Sequence, residues 1–126
     1  AQLTKNDARL IVQCVEANSK VNLAVREPVE GGQLTLRVRM NSHDHPSAIH
    51  LRWAEKGVKP LYFRDRLVVT KPIPAGEWTT LDIPFAAKKP VTSFRIDFMR
   101  PPGRVEIESV ALLRGGALEK TWRFDD

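Results

Sequence analysis

Alternation of apolar and polar residues is the feature of this sequence that most limits its fold. In the segment Leu34–Met40, every second residue is apolar and the residues between them are threonine or arginine. Side chains with this period of two point alternately to the two faces of a β-strand, so one face can be buried and the other hydrated. The same pattern recurs along the chain, in the segments 10–15, 21–25, 49–53, 67–69, 78–85, 94–98, 105–112 and 118–124. The sequence therefore predicts about eight or nine short strands.

The breaks between these strands are rich in glycine and proline, and only the segments 6–10 and 85–89 offer even one helical turn. Without helices no βαβ unit can form, which excludes a parallel α/β fold. The chain has no internal repeat, which excludes solenoids and propellers. Its 126 residues are enough for one domain with its own core. We therefore expect residues 1–126 to form a single all-β domain, an antiparallel sandwich or barrel.

The chain carries a moderate positive charge, with 20 Lys and Arg residues against 15 Asp and Glu residues and a net charge of +5. The basic residues are scattered, and no helix is available to enter a nucleic-acid groove. No apolar run approaches the roughly 18 residues of a membrane-spanning helix. We therefore expect neither nucleic acid nor a membrane as a partner.

Motifs that would indicate catalysis are missing from the sequence. It lacks Gly-x-Ser-x-Gly, His-Glu-x-x-His and the glycine-rich phosphate-binding loops. A sulfatase nucleophile, which is a Cys or Ser followed by x-Pro-x-Arg, is also missing, since the single cysteine, Cys14, is followed by Val-Glu-Ala. We therefore predict no catalytic residues and no enzyme activity for this chain.

The segment Ser42-His43-Asp44-His45, with His50 nearby, contains side chains that can bind zinc. In the competing interpretation it is a polar turn whose side chains form local hydrogen bonds. We favour the turn, because no second cluster in the sequence supplies the remaining ligands. The sequence accordingly predicts no metal and no cofactor.

Three segments in the second half of the chain resemble a known family. They are Ile73-Pro-Ala-Gly-Glu-Trp-Thr-Thr-Leu-Asp-Ile-Pro-Phe85, Pro90–Phe98 and Pro102–Leu112. Together they resemble the galactose-binding-like jelly-roll modules appended to bacterial glycan-processing enzymes. Within that group, the segments 34–40 and 49–57 resemble the central strands of accessory modules in secreted sulfatases.

This resemblance implies an antiparallel jelly-roll β-sandwich with a galactose-binding-like fold. It also implies an accessory domain, excised from or C-terminal to a larger enzyme, and an extracytoplasmic location, either secreted or periplasmic. Some members of the superfamily hold a structural calcium ion, but no acidic loop of this sequence matches such a site. Fold analogy by itself does not assign a ligand.

Basic residues at the outward positions of the predicted strands are the first candidates for ligand binding. The planar guanidinium group of arginine suits carboxylate and sulfate, and strands that are neighbours in one sheet would bring such groups to a shared face. In the competing interpretation this face is only solvated, and its arginines pair with the nearby carboxylates of Asp82, Asp97, Glu106 and Glu108.

Aromatic residues are the second candidates, because a sugar ring can stack on Trp or Tyr. We expect Trp53 and Trp78 to lie in the core, on the apolar side of their strands. We expect Tyr62, which lies in a predicted loop between Pro60 and Asp65, and Trp122, which is flanked by polar residues, to be exposed. The predicted ligand-binding set combines both kinds of side chain: Arg37, Arg39, His50, Arg52, Tyr62, Arg95 and Trp122.

Two functions are consistent with these features. The first is a non-catalytic, carbohydrate-binding-like accessory module of a secreted glycan-processing enzyme, with a sulfatase as the expected host and a neutral or anionic glycan as the ligand. The second is a structural sandwich that binds no sugar and packs on its own catalytic domain through an exposed apolar patch that includes Trp122 and Phe124. Binding of a glycan by the isolated domain would separate them.

Overall fold

Two antiparallel β-sheets make up the fold in a computed structural model, which describes residues 2–6, 9–14, 19–59, 66–98 and 103–122. Within these ranges there is no helix, and hence none that is long and apolar enough to span a membrane. The strands are β1 (Gln2–Asn6), β2 (Arg9–Cys14), β3 (Ser19–Val29), β4 (Gly32–Ser42), β5 (Ile49–Glu55), β6 (Leu67–Val69), β7 (Trp78–Ala87), β8 (Val91–Phe98), β9 (Gly103–Arg114) and β10 (Ala117–Trp122).

The larger sheet has the strand order β1-β2-β9-β4-β7, with β10 also paired to β9. The smaller sheet has the order β3-β8-β5-β6. From β2 to β5, and again from β6 to β9, each successive strand lies in the other sheet. Within these two stretches, consecutive strands therefore lie on opposite sides of the core instead of pairing. The fold is the predicted antiparallel jelly-roll β-sandwich.

The core forms where the apolar sides of the two sheets meet. On β4, the apolar residues of the alternating segment 34–40 are buried, while Arg37 is exposed and Thr35 and Arg39 are half-buried. Phe94, Ile96 and Phe98 of β8 are fully buried on the opposite sheet. Burial of one such side chain stabilises the fold by about 1.5–3 kcal/mol, so the inward rows of β4 and β8 are major contributors to stability.

Trp53 belongs to this core, as the alternation of β5 predicted. Its ring lies 4.7 Å from that of Phe85 between centroids, and its indole N–H donates to the carboxylate of Glu55 at 3.0 Å. Glu55 is buried and also accepts a hydrogen bond from the backbone N–H of Lys89 at 3.1 Å. The buried carboxylate therefore has hydrogen-bond donors, without which its burial would be strongly unfavourable.

A β-bulge in β9 changes which side of that strand is apolar. Arg39 pairs with Ser109 and Met40 with Ile107, so Glu108 is an additional residue in β9. The inward positions are odd before the bulge and even after it, which explains why Val110 and not Ser109 is buried.

A second bulge, in β10, makes one sequence expectation wrong. Alternation assigned Leu118 and Trp122 to the same side of the last strand, but the register of β10 against β9 shifts between Leu118 and Lys120. Leu118 is therefore 64% exposed, while the Trp122 ring packs edge-on against Phe94 at a centroid distance of 5.8 Å. Phe124 lies outside the described residues.

Candidate ligand-binding face

The predicted ligand-binding residues lie on two opposite faces of the sandwich and do not share one. Arg37 and Arg39 lie on β4 of the larger sheet, whereas His50, Arg52 and Arg95 lie on β5 and β8 of the smaller sheet. Strand pairing brings His50, Arg52 and Arg95 to one face, but it separates them from Arg37 and Arg39, because β4 pairs with β7 and β9.

The two predicted aromatic residues do not extend either face in the described structure. Trp122 packs inward, and its indole N–H donates to the carbonyl oxygen of Ala24 at 3.0 Å. This bond joins β10 of the larger sheet to β3 of the smaller one, so Trp122 is a packing residue and the expectation of an exposed ring is wrong. Tyr62 lies outside the described residues.

On the smaller sheet, the predicted residues form an ion-pair cluster around Asp97, which we call the Asp97 cluster (His50, Arg52, Arg95 and Asp97). Arg52 Nε lies 3.1 Å from Asp97 Oδ2, and Arg95 Nε lies 2.9 Å from Oδ1. The Asp97 side chain is only 6% exposed. Both carboxylate oxygens thus accept from arginines of two neighbouring strands, which holds β5 against β8.

His50 lies beside this cluster, opposite Asp97 in the pairing of β5 with β8. Burial lowers the pKa of His50 below its ordinary value of 6.5, and the positive charge of Arg52 lowers this pKa further, against the opposing effect of Asp97. Its Nδ1 atom is buried and has no hydrogen-bond partner among the described residues. The environment of His50 therefore favours the neutral imidazole.

On the larger sheet, Arg37 is paired with Asp82 of β7, its direct neighbour in register. Arg37 Nε and Nη2 donate to the two carboxylate oxygens at 2.7 and 3.1 Å. This contact raises the pKa of Arg37 and lowers the pKa of Asp82, in both cases mainly through the hydrogen bond between them. Both side chains are about half exposed, so the pair is a surface fork that uses two guanidinium nitrogens and both carboxylate oxygens.

Trp78 is on the outer face of the larger sheet, which corrects the expectation that it fills the core. Ile83 and Phe85 point inward from β7, so the even-numbered positions of that strand point outward. Trp78 is half-buried and pairs in register with Asn41 of β4. The sequence contained this signal, because Trp78 and Leu81 are an odd number of residues apart and cannot share one side of a regular strand.

Two guanidinium groups lie over the Trp78 ring. Arg9 Cζ is 4.8 Å from the ring centroid and Arg39 Cζ is 5.5 Å from it. These cation–π contacts collect an aromatic ring and two cations on one patch, which we call the Trp78 face (Arg9, Arg39, Asn41, Trp78 and Glu106). Arg9 was not among the binding residues predicted from the sequence. Nothing in the sequence of β2 shows that this strand lies three positions from β7, the strand of Trp78, in the same sheet.

Carboxylates border these cations. Glu106 is mostly buried and lies 2.7 Å from Arg104 Nη2, 3.3 Å from Arg9 Nη1 and 3.4 Å from His43 Nε2. Glu108, the bulge residue, lies 3.4 Å from Arg39 Nε. The pairing of arginines with Asp82, Asp97, Glu106 and Glu108, expected for a solvated face, is thus confirmed.

Asn41 is the polar residue beneath this patch that lacks a partner. It is 5% exposed, and its Oδ1 atom has no hydrogen bond in the described part of the chain. A buried amide oxygen without a donor typically destabilises a protein by about 1–3 kcal/mol. Asn41 therefore needs a donor from water or from a bound molecule, and its register partner is Trp78.

The histidine-rich segment after β4 is a hydrogen-bonded turn. Ser42 Oγ donates to the carbonyl oxygen of His45 at 2.6 Å, and the backbone N–H of Arg104 donates to Asp44 Oδ2 at 2.9 Å. These contacts confirm the turn interpretation for Ser42 and Asp44. Among the described residues there is no group of three or more metal-binding side chains, and His50 belongs to the other sheet.

A cleft of about 580 Å³ lies at the opposite end of β4, between the end of β3 and β10. Arg114 crosses it, donating to the carbonyl oxygens of Glu30 and Gly31 at 2.6 and 2.8 Å and to Glu119 at 2.6 Å. Its charged lining is balanced between both signs: Arg26, Glu27, Glu30, Arg114, Glu119 and Lys120. The contacts of Arg114 join the two sheets here, and no aromatic side chain is among the described residues that line the cleft.

No protein-family model and no curated protein matches this sequence. Among solved structures, the chain is similar to a mutant of the family 29 carbohydrate-binding module CBM29-2 complexed with cellulohexaose. The two are 16% identical, the match covers 92% of this chain and 76% of the other, and the TM-score is 0.57. This likeness shows the fold, a β-sandwich of the jelly-roll type.

Proposed function

We propose that this domain is a non-catalytic carbohydrate-binding module that binds a glycan on the Trp78 face. The observation that carries the proposal is the half-buried Trp78 ring on the outside of a sheet, with charged hydrogen-bonding groups around it. The likeness of the fold to a module complexed with cellulohexaose supports the same function.

The chemistry of the patch suits a sugar. The apolar side of a pyranose ring stacks on an indole, while hydroxyl groups need donors and acceptors at the edge of the ring. Arg9 and Arg39 lie over the ring, so a sugar that displaces one of them from the indole can accept hydrogen bonds from it, while Glu106 and Glu108 offer acceptors. Of the residues predicted from the sequence, Arg39 belongs to this site and Arg37 lies two residues away along β4.

Titration of immobilised or soluble glycans with Trp78→Ala tests this proposal. A central tryptophan contributes about 2 kcal/mol or more to binding, so we expect a loss of roughly thirtyfold in affinity. Arg26→Ala, in the β3–β10 cleft, is the matched control and should bind as the unaltered domain does. Thermal melts of both variants check that the fold is intact. Loss of binding in Arg26→Ala with retention in Trp78→Ala would move the site to the cleft.

The host enzyme and the location are also part of the proposal. The resemblance of the segments 73–85, 90–98 and 102–112 to accessory modules supports a glycan-processing host such as a sulfatase, and with it an extracytoplasmic location. Docking on a catalytic domain without sugar binding has less support. Trp122 packs inward, and the exposed apolar residues Leu118 and Val69 lie on strands of different sheets.

A further inference from the structure

The arginines on the outside of the larger sheet differ in how tightly carboxylates hold them. Arg37 forms a bidentate pair with Asp82, with N···O distances of 2.7 and 3.1 Å. The contacts of Arg9 with Glu106 and of Arg39 with Glu108 are longer, at 3.3 and 3.4 Å, and each involves one nitrogen. Charge-assisted hydrogen bonds are typically about 2.7–2.9 Å long, so neither Arg9 nor Arg39 has a strong partner.

Both weakly held guanidinium groups also keep unused donors. Arg9 uses Nη1 for Glu106, and Arg39 uses Nε for Glu108 and Nη1 for Thr80 at 3.3 Å. The remaining guanidinium N–H groups form no hydrogen bond with the described part of the chain. The side chains are 41% and 39% exposed, so a ligand can reach these donors without unfolding the sheet.

Competition for Glu106 adds to this difference. The same carboxylate is taken by Arg104 at 2.7 Å, a short contact, and by His43 at 3.4 Å. Arg9 therefore shares Glu106 with Arg104, which makes the shorter contact with this carboxylate.

We infer that the ligand of the Trp78 face is an acidic glycan, in which a carboxylate or sulfate group bonds to Arg9 or Arg39 while its sugar ring stacks on Trp78. This inference rests on the proposed function and names the class of sugar. Both guanidinium groups lie over one ring, so a sugar that displaces one of them to stack on the indole brings its acidic group within reach of that guanidinium group. A planar guanidinium group can bind such an anion through two nitrogens. Neither Glu106 nor Glu108 makes a contact of this kind with Arg9 or Arg39.

The test compares three polymers on the intact chain by affinity electrophoresis or calorimetry. Polygalacturonate carries carboxylates, dextran sulfate carries sulfate esters, and hydroxyethylcellulose is neutral. The variants are Arg9→Gln and Arg39→Gln, with Arg37→Gln as the matched control from the same face and strand. We expect each of the first two to weaken binding of an acidic polymer about tenfold and Arg37→Gln to change it less than about twofold. Binding should also weaken as salt rises from about 50 to 500 mM.

Each result has a distinct meaning. Preference for polygalacturonate or for dextran sulfate supports the inference and identifies the anionic group. Binding of hydroxyethylcellulose that depends on Trp78 and ignores both glutamine variants overturns the acidic class and leaves the proposed function standing. An Arg37→Gln effect equal to that of Arg39→Gln overturns the assignment of residues. Binding of no polymer at any salt concentration overturns the proposed function as well, and tighter binding of an oligothymidylate than of either acidic polymer overturns both in favour of nucleic acid.

Discussion

The outer faces of the two sheets use the same kinds of side chain for different purposes. On the smaller sheet, Asp97 is 6% exposed and accepts from Arg52 and Arg95 at 2.9–3.1 Å. On the larger sheet, Arg9 and Arg39 have contacts of 3.3–3.4 Å with their carboxylates and lie over Trp78. The first arrangement holds strands together, and the second leaves donors beside an aromatic ring.

Burial of the carboxylate is what separates Asp97 from Glu108. A carboxylate out of water needs several close donors, so Asp97 holds its arginines in place. A carboxylate near water, such as Glu108, has solvent as an alternative partner and restrains Arg39 only weakly. Outward-pointing arginines therefore indicate a binding face only where no carboxylate holds them at a short distance, as for Arg9 and Arg39.

Asp97→Asn should have the largest effect on the free energy of unfolding. It removes the charge that two arginines share, and we expect a loss of about 2–3 kcal/mol, below the roughly 3–5 kcal/mol of fully buried pairs, because both arginine side chains retain some exposure. Urea denaturation gives the value. Glu108→Gln on the larger sheet is the control and should lose about 0–1 kcal/mol. If both variants lost the same free energy of unfolding, the Asp97 cluster would not be more important for stability than the ion pairs of the larger sheet.

Gly103→Ala should have the next largest effect, at the edge of the Trp78 face. Gly103 has a φ of +83°, and an added Cβ would collide with the Asp44 carboxylate that accepts from Arg104. We expect a loss of about 2 kcal/mol from backbone strain and displacement of the 42–47 turn. Gly116→Ala has the same φ and open space around its Cβ, so it should lose only about 1 kcal/mol. Chemical denaturation of both variants separates the clash from the strain.

Removal of His50 should have a smaller effect, which appears only as a dependence on pH. The folded pKa of His50 is lower than the unfolded value near 6.5, so the unfolded chain binds more protons as the pH falls. The stability contribution of neutral His50 is complete above pH 6.5 and is lost as the pH falls below it towards the folded pKa. His50→Gln should therefore lose less stability than the unaltered domain between neutral and mildly acidic pH.

Thermal melts across this pH range provide the measurement. His45→Gln is the matched control, since it removes an exposed histidine from the 42–47 turn, and its profile should follow that of the unaltered domain. A steeper loss of stability in His50→Gln than in the unaltered domain would contradict the assigned burial of the imidazole.

Asp82→Asn should have the smallest effect on stability. The Arg37–Asp82 pair is half exposed, and such pairs contribute about 0–1 kcal/mol despite good geometry. Because the pKa of Asp82 is lowered in the folded state, this contribution is present above the unfolded pKa and is lost as the pH falls through the folded one. Urea midpoints at neutral and acidic pH measure it, and a loss above about 2 kcal/mol would place this pair in the class of Asp97.

Local alternation was sufficient for much of the fold. It located β4, β5 and β8 and their buried residues, because a period of two fixes which side chains share one side of a strand. The outward position of Trp78 was also available from its spacing to Leu81. Trp122 was not, because the bulge that turns its ring inward comes from the pairing of β10 with β9.

The sequence by itself determined an all-β chain, the location of its strands and most of the residues that fill its core. Only the tertiary structure decided that Arg39 joins Arg9 and Trp78, and that Arg52 and Arg95 share Asp97 on the opposite side. The physical reason is that side-chain alternation is a property of one strand, whereas a face is built from strands far apart in the chain. Which strands pair depends on burial of the whole core. Each β-bulge also reverses which positions point inward in the part of the strand that follows it.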